Sequence, residues 1–186
     1  MSTLDNFLKD MQALVDQQSD QGRLLTEGAR LLAEAIKDPE ILPKEFRVTS
    51  TKRKNHGTYN IYRGKDLFAS ASVWGPGDRT DPHNHGTWGL IGVVDNAIQE
   101  TRYRVNGKDL NGLPIVERTD ARLLKAGDVS ILKHDEDEIH ELDNFSNRDT
   151  VELHVYGKNL IGLDRYMFDR TSGGARPFRS GKYDNC

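Results

Sequence analysis

From about Phe46 onward the chain runs in stretches of four to eight residues in which apolar and polar side chains alternate, bounded by Gly, Asp, Asn or Pro. A period of two is the repeat of an extended strand, not of a helix. The pattern predicts strands near Tyr59–Tyr62, Leu67–Trp74, Gly89–Val94, Ala97–Tyr103, Ala121–Leu124, Val129–Leu132, His140–Asn144 and Val151–Tyr156. Gly64-Lys65-Asp66, Asp95-Asn96 and Asn106-Gly107-Lys108 carry the residue types of hairpin turns. Many short strands without helices between them predict a mainly β sandwich or barrel.

The segment before the strands has a different period. Leu4, Phe7, Leu8, Met11, Leu14 and Val15 fall on one helical face. A second helix is predicted from Gly22 to Ile36, with Leu24, Leu25, Ala29, Leu32 and Ala33 inward, and Asp38-Pro39 and Leu42-Pro43 close the helical region. The expected organisation is one domain over residues 1–186: helices to 45, a β-barrel over 46–169 and a tail over 170–186. That tail is rich in Gly, Arg and Ser, so it is expected to wrap loosely or to lack structure.

With 186 residues and a formal charge of −3, nothing in the chain points to nucleic acid or to an anionic membrane. No continuous apolar run marks the first residues as a leader or a membrane span. The single cysteine, Cys186, cannot form an intrachain disulfide, which fits a cytoplasmic, reducing compartment.

His83-Asn84-His85 carries the chemistry. On an extended chain residues i and i+2 share a face, so both imidazoles can reach one ion. Two solvated surface histidines are the competing reading of this tripeptide alone. A second segment, Gly127-Asp128 followed by His140 and, four residues on, Asn144, strengthens the metal reading. Gly-x5-His-x-His, then Gly-Asp, then His-x3-Asn resembles the two-part signature of the cupin superfamily, which implies a double-stranded β-helix, a small antiparallel barrel with a metal in its mouth. Most metal-binding cupins add a glutamate ligand four or five residues after the second histidine, where this chain has Gly89 and Leu90. Three neutral imidazoles leave the full charge on the ion and favour an anionic ligand such as a thiolate; they suit zinc, copper, nickel or iron.

In Val151–Tyr156 the residues Glu152, His154 and Tyr156 share one strand face. Either that face meets water, or it lines a cavity as a hydrogen-bonded row. His56 and His134 sit among charged residues and are expected to be solvated, without a role.

Val73-Trp74-Gly75-Pro76-Gly77, His83-Asn84-His85-Gly86-Thr87-Trp88-Gly89 and His154-Val155-Tyr156-Gly157 resemble the bacterial thiol dioxygenases, cysteine dioxygenase and more nearly 3-mercaptopropionate dioxygenase. The resemblance implies that His83, His85 and His140 bind Fe(2+), and that a small thiol is oxidised by O2 to a sulfinate. It matches the family's outer row Ser–His–Tyr to Glu152, His154 and Tyr156, so the serine is replaced. The cysteine–tyrosine crosslink of the animal enzymes is not expected, since Cys186 is remote in sequence. Ile61 stands where those enzymes carry a carboxylate-binding arginine. Arg165 matches the arginine associated with the substrate site in the mercaptopropionate branch; the competing reading pairs it with Asp164 or Asp169 on the surface. Glu152 likewise has a competing reading, turned outward or towards Arg148. A non-catalytic ligand-binding cupin, or another metalloenzyme such as a zinc hydrolase or isomerase, are the rival functions on this scaffold.

Overall fold

The computed structural model describes residues 2–50 and 55–185. Cys186, and with it the expectation about its crosslinking, lies outside the described residues. Two helices, α1 (Thr3–Gln17) and α2 (Gln21–Ala35), precede a 3-10 turn at Lys44–Phe46 and ten strands. These are β1 (His56–Arg63), β2 (Phe68–Trp74), β3 (Gly89–Asp95), β4 (Ala97–Lys108), β5 (Pro114–Lys125), β6 (Val129–Leu132), β7 (Ile139–Asp143), β8 (Thr150–Tyr156), β9 (Asp164–Phe168) and β10 (Ala175–Arg179).

The strands form a five-stranded sheet in the order β1-β2-β8-β3-β6, a three-stranded sheet β5-β4-β7 and the ribbon β10-β9. Every strand pair is antiparallel. This is the mainly β cupin fold, a double-stranded β-helix with an N-terminal helical segment. Each helix starts on a side-chain cap: Ser2 and Asp5 form a reciprocal capping box, and the Asp20 carboxylate accepts the Arg23 N–H.

The five-stranded sheet is covered on both faces, and the two coverings differ in chemistry. Ala69, Ala71, Val73, Leu90, Val151, Leu153 and Val155 join Leu4, Phe7, Leu8, Met11, Leu25 and Leu32 of the helices in the largest apolar cluster. The alternate positions turn the other way, into the barrel. There Trp74 and Val93 meet Ile98, Leu124 and Leu142 of the three-stranded sheet. All seven residues of β8 are therefore buried, its apolar side under the helices and its Glu–His–Tyr side inside the barrel. Helix α2 reaches β3 at Gly28, where a Cβ would lie 2.8 Å from Leu90 Cδ1.

Several elements differ from the sequence reading. Asn106-Gly107-Lys108 is not a turn: β4 continues through it, and the chain reverses at Asp109–Leu113, where the Asp109 carboxylate accepts the N–H groups of Asn111 and Leu113. Pairing with the extended β5 outweighs the local turn preference there. The segment after residue 169 is not loose. It forms β10 against the unexpected strand β9, with Ala175 opposite Phe168 and Arg179 opposite Asp164. Main-chain ladder bonds and the Arg179–Asp164 ion pair hold it, so its low hydrophobicity was a poor guide.

Candidate metal centre

His83, His85 and His140 converge. One ring nitrogen from each lies within 4.8 Å of those of the other two, and the ring centroids are 4.8–5.1 Å apart. The reason differs from strand parity. His83 makes isolated bridges to His140 and to Met167, the main-chain N–H groups of His83 and His140 each donating to the other's carbonyl, and His85 lies outside any strand.

The hydrogen bonds of the three rings fix their tautomers. Nδ1 of His83 donates to the Asp81 carbonyl at 3.0 Å, and Nδ1 of His85 to the Glu138 carbonyl at 3.1 Å. A carbonyl only accepts, so the proton is on Nδ1 in both and the Nε2 lone pair is free. Nδ1 of His140 meets Glu100 Oε1 at 2.8 Å. Burial pushes His83 and His85 well below the usual imidazole value, and the neighbouring imidazoles and the Arg165 guanidinium act in the same direction. For His140 burial also wins, against the opposing pull of Glu100. Three neutral imidazoles with free, convergent Nε2 atoms and occupied Nδ1 atoms are the donor set of a divalent transition metal, so the residues fit such an ion.

Glu100, which the sequence reading did not single out, supports this set. Its side chain is fully buried. Burial would raise its carboxyl, but His140, Arg102 and Ser130 outweigh that and hold it well below the ordinary value. Ser130 Oγ donates to Oε1 at 2.7 Å, while Arg122 and Arg102 reach Oε2 at 2.8 and 3.1 Å. The available signal was parity: Ile98, Glu100 and Arg102 occupy alternate positions of one strand.

The centre opens on a cavity of about 200 Å³, lined from β2 and β8 and from β7, β9 and β10. The Glu152–His154–Tyr156 row faces inward. Glu152 Oε2 accepts from Trp74 Nε1 at 2.6 Å and meets His154 Nε2 at 2.9 Å; His154 Nδ1 meets the Tyr156 hydroxyl at 2.8 Å. Glu152 is neither outward nor bound to Arg148, which lies 3.5 Å from Asp95. Glu152 Oε1 is buried without a partner among the described residues. The Tyr156 ring stacks on His85 at 5.2 Å, and burial pushes its hydroxyl well above the usual phenol value.

Arg165 is 5 % exposed and lines the cavity. It pairs with neither Asp164 nor Asp169. Its guanidinium donates to the Asn84 carbonyl at 2.9 Å and to Ser180 Oγ, and lies 5.0 Å over the Phe178 ring, with Nε buried and unpartnered. Asp164 is taken by Arg179 instead. Ile61 packs with the helix-facing core, away from this site.

The other two histidines are also engaged, against expectation. His56 opens β1, because that strand starts earlier than its alternation indicated. Its Nδ1 lies 2.7 Å from Asp78 Oδ2, its ring is edge-on to Trp74 at 4.4 Å, and it lines the cavity. His134 Nδ1 lies 3.0 Å from Glu138 Oε1.

Among solved structures, an oxalate oxidase in complex with the substrate analogue glycolate is 10 % identical, with a TM-score of 0.47 over 62 % of this chain and 57 % of that one. The chain thus spans little more than half the length of that relative. An uncharacterised conserved protein with a double-stranded β-helix domain from Klebsiella pneumoniae is 17 % identical, with a TM-score of 0.47 over 64 % of this chain and 85 % of the other. No helix among the described residues is long and apolar enough to cross a membrane. Residues 35–169 match the family described as cysteine dioxygenase type I, and they contain the three histidines, the inward row and Arg165: the chain belongs to that family of cupin thiol dioxygenases.

Proposed function

We propose that the protein is an iron(II)-dependent dioxygenase that converts a small carboxylated thiol, 3-mercaptopropionate or a close relative, to its sulfinate. The balance is R–SH + O2 → R–SO2H: both oxygen atoms go to sulfur, which loses four electrons as dioxygen gains four. The observation that carries this reading is the pairing, in one cavity of about 200 Å³, of three free imidazole lone pairs with a buried guanidinium that has no carboxylate partner among the described residues. A bound ferrous ion would supply the redox chemistry that joins a thiolate to dioxygen.

The chain's own residues divide the remaining work. His83, His85 and His140 hold the ion through Nε2. Arg165 takes the substrate carboxylate, since its fork matches two oxygens and its burial strengthens the pair. Tyr156, fixed by His154 and stacked on His85, places its hydroxyl beside the reacting groups, and Glu152 fixes His154 in turn. Phe68 and Leu160 pack behind the tyrosine and exclude water from that side. A carboxylated thiol without an amino group fits best, because the charged side chains among the described residues that line the cavity, Arg165 and Lys182, are both cationic and no acidic side chain is among them. The reading treats residues 1–186 as one cupin domain and places it in the cytoplasm, where small thiols stay reduced.

The test is oxygen uptake by iron-reconstituted protein across a panel of thiols, with the sulfinate product identified. Stoichiometric uptake with 3-mercaptopropionate above cysteine and 2-mercaptoethanol is expected. No uptake with any thiol, at full iron content, would sink the proposal in favour of a binding cupin.

A further inference from the structure

His85 is the least supported of the three histidines by secondary structure. Beyond it the chain leaves the extended conformation, with Gly86 at φ +65°. His83 has its bridge to His140, and Asn84 donates to the Tyr166 carbonyl at 3.2 Å and accepts the Tyr166 N–H on its side chain at 2.8 Å. The next two N–H groups have no carbonyl to meet, although His85 is 1 % exposed and a buried N–H must find an acceptor.

Glu138 answers both. Its Oε2 accepts the N–H of His85 and the N–H of Gly86, each at 2.8 Å, so two successive amides enclose one carboxylate oxygen. The main-chain carbonyl of the same residue accepts Nδ1–H of the His85 ring at 3.1 Å. One residue thus holds both the backbone and the ring of this histidine, from 53 positions away in sequence. The other carboxylate oxygen, Oε1, meets Nδ1 of half-buried His134 at 3.0 Å, and the His134 N–H is anchored on Gln21 Oε1, at the start of α2, at 2.9 Å.

We propose that Glu138 is a positioning residue for the metal centre, which sets the direction in which His85 presents Nε2 and is steadied from outside by His134. The inference rests on the three-histidine metal reading but not on any particular thiol. His134, Asp135 and Glu138 do lie close enough together to resemble a second cation site. The geometry is that of a hydrogen-bonded chain instead: Glu138 lies at Nδ1 of His134 and Asp135 at Nε2, 3.5 Å away, and the two nitrogens point apart. The remaining oxygen of Glu138 already accepts two amides.

The experiment titrates the full-length metal-free chain with cobalt(II) against a competing chelator, and follows the visible spectrum of the bound ion. Removing a group that orients a ligand lowers metal affinity about 10–100-fold. Glu138→Ala should show a loss of that size with an altered cobalt(II) spectrum. Glu138→Gln keeps an oxygen that can accept both amides, and should restore an affinity and spectrum close to the parent's. A purely structural role would lower the melting temperature and leave affinity and spectrum unmoved; that result overturns the proposal. If Glu138→Ala does not fold, Glu138→Asp withdraws the carboxylate by one methylene and must show the same loss, parent-like binding again overturning it. A parent chain that takes up no cobalt(II) overturns the metal centre itself, and is distinguishable from a parent that binds beside an unaffected variant.

Discussion

Gly89 lies directly against the ring of Tyr156: a Cβ at position 89 would stand 2.8 Å from both Cδ1 and Cε1. This is a position at which other metal-binding cupins carry a glutamate ligand. Here the phenol ring fills the space a side chain would need, so the absent carboxylate and the inward tyrosine are two sides of one packing solution. Phe68, Leu132 and Leu160 pack around the same ring and leave it little room to retreat. Gly89→Ala should cost about 1–3 kcal/mol in stability, as overpacked cores do. It should also displace the hydroxyl and lower kcat at least tenfold, roughly 1.4 kcal/mol of barrier, with metal content unchanged. Urea unfolding, metal analysis and oxygen uptake on one preparation check all three. Unchanged kcat would show that the tyrosine tolerates displacement.

The bond from His140 Nδ1 to Glu100 predicts two grades of damage. His140→Ala leaves two imidazoles and should reduce bound iron to a small fraction of the parent's. Glu100→Gln keeps all three ligands, but weakens the partner that orients one of them, so affinity should fall by about 10–100-fold. It also strips the buried Arg102 of its buried counter-charge and leaves it the exposed Asp137 at 3.4 Å, so the cost falls at or below the ~3–5 kcal/mol of a fully broken buried pair. Metal-free protein should therefore unfold at lower urea in Glu100→Gln but not, by comparable amounts, in His140→Ala. Full iron retention in His140→Ala would end the three-histidine account.

What the sequence made legible follows the range of the interactions. The strand alternation of Val151–Tyr156 is local, and it put Glu152, His154 and Tyr156 on one face; the buried environment of that face needed helices α1 and α2 on the other side of the sheet. Spacing brought out His83, His85 and His140. Their supports were not visible, because Glu100 and Glu138 act on histidines 40 and 53 residues away, Glu100 across the β4–β7 pairing and Glu138 from the loop before β7, and no short window contains either contact. Strand β10 was missed for the same reason: Ala175–Arg179 is a strand by virtue of β9 and not of its own composition. His56 was passed over since Asp78 and Trp74, its contacts, lie across the sheet and its connecting loop.

Arg165 should decide between acids and neutral thiols. A guanidinium this buried, with Nε unpartnered, is held by the Asn84 carbonyl and Ser180 and not by an anion. Losing one partner of a buried charge pair costs about 2–5 kcal/mol, which at the lower end is roughly thirtyfold in binding. Arg165→Ala should raise KM for 3-mercaptopropionate by at least that factor and leave KM for 2-mercaptoethanol nearly unchanged. Equal shifts for both thiols would remove Arg165 from the carboxylate site.

Glu152 is where the chain leaves its family's pattern, and the geometry says what the change does. An ionised carboxylate has only acceptors, so Oε2 takes the Trp74 indole proton and the Nε2 proton of His154. With a neutral imidazole, Nδ1 must then accept from the Tyr156 hydroxyl, and the phenol turns its lone pairs, not its proton, towards the cavity. A serine in that place could donate to Nε2 and reverse the chain. Both protons meet the same oxygen, Oε2, so Glu152→Gln with its amide oxygen in that place accepts both and keeps the direction of the row, which makes it the control for Glu152→Ser. The direction of the row should therefore flip in Glu152→Ser and hold in Glu152→Gln. Positioned proton donors and acceptors contribute about 10²–10⁴-fold to rate, so Glu152→Ser should change kcat by at least tenfold and Glu152→Gln by much less, with iron content and KM for the thiol close to the parent's in both. Because Glu152 Oε1 has no partner among the described residues, Glu152→Gln should be nearly as stable as the parent. Matching kcat values across the parent and both variants, at equal iron content, would mean that the row's direction has no part in the reaction.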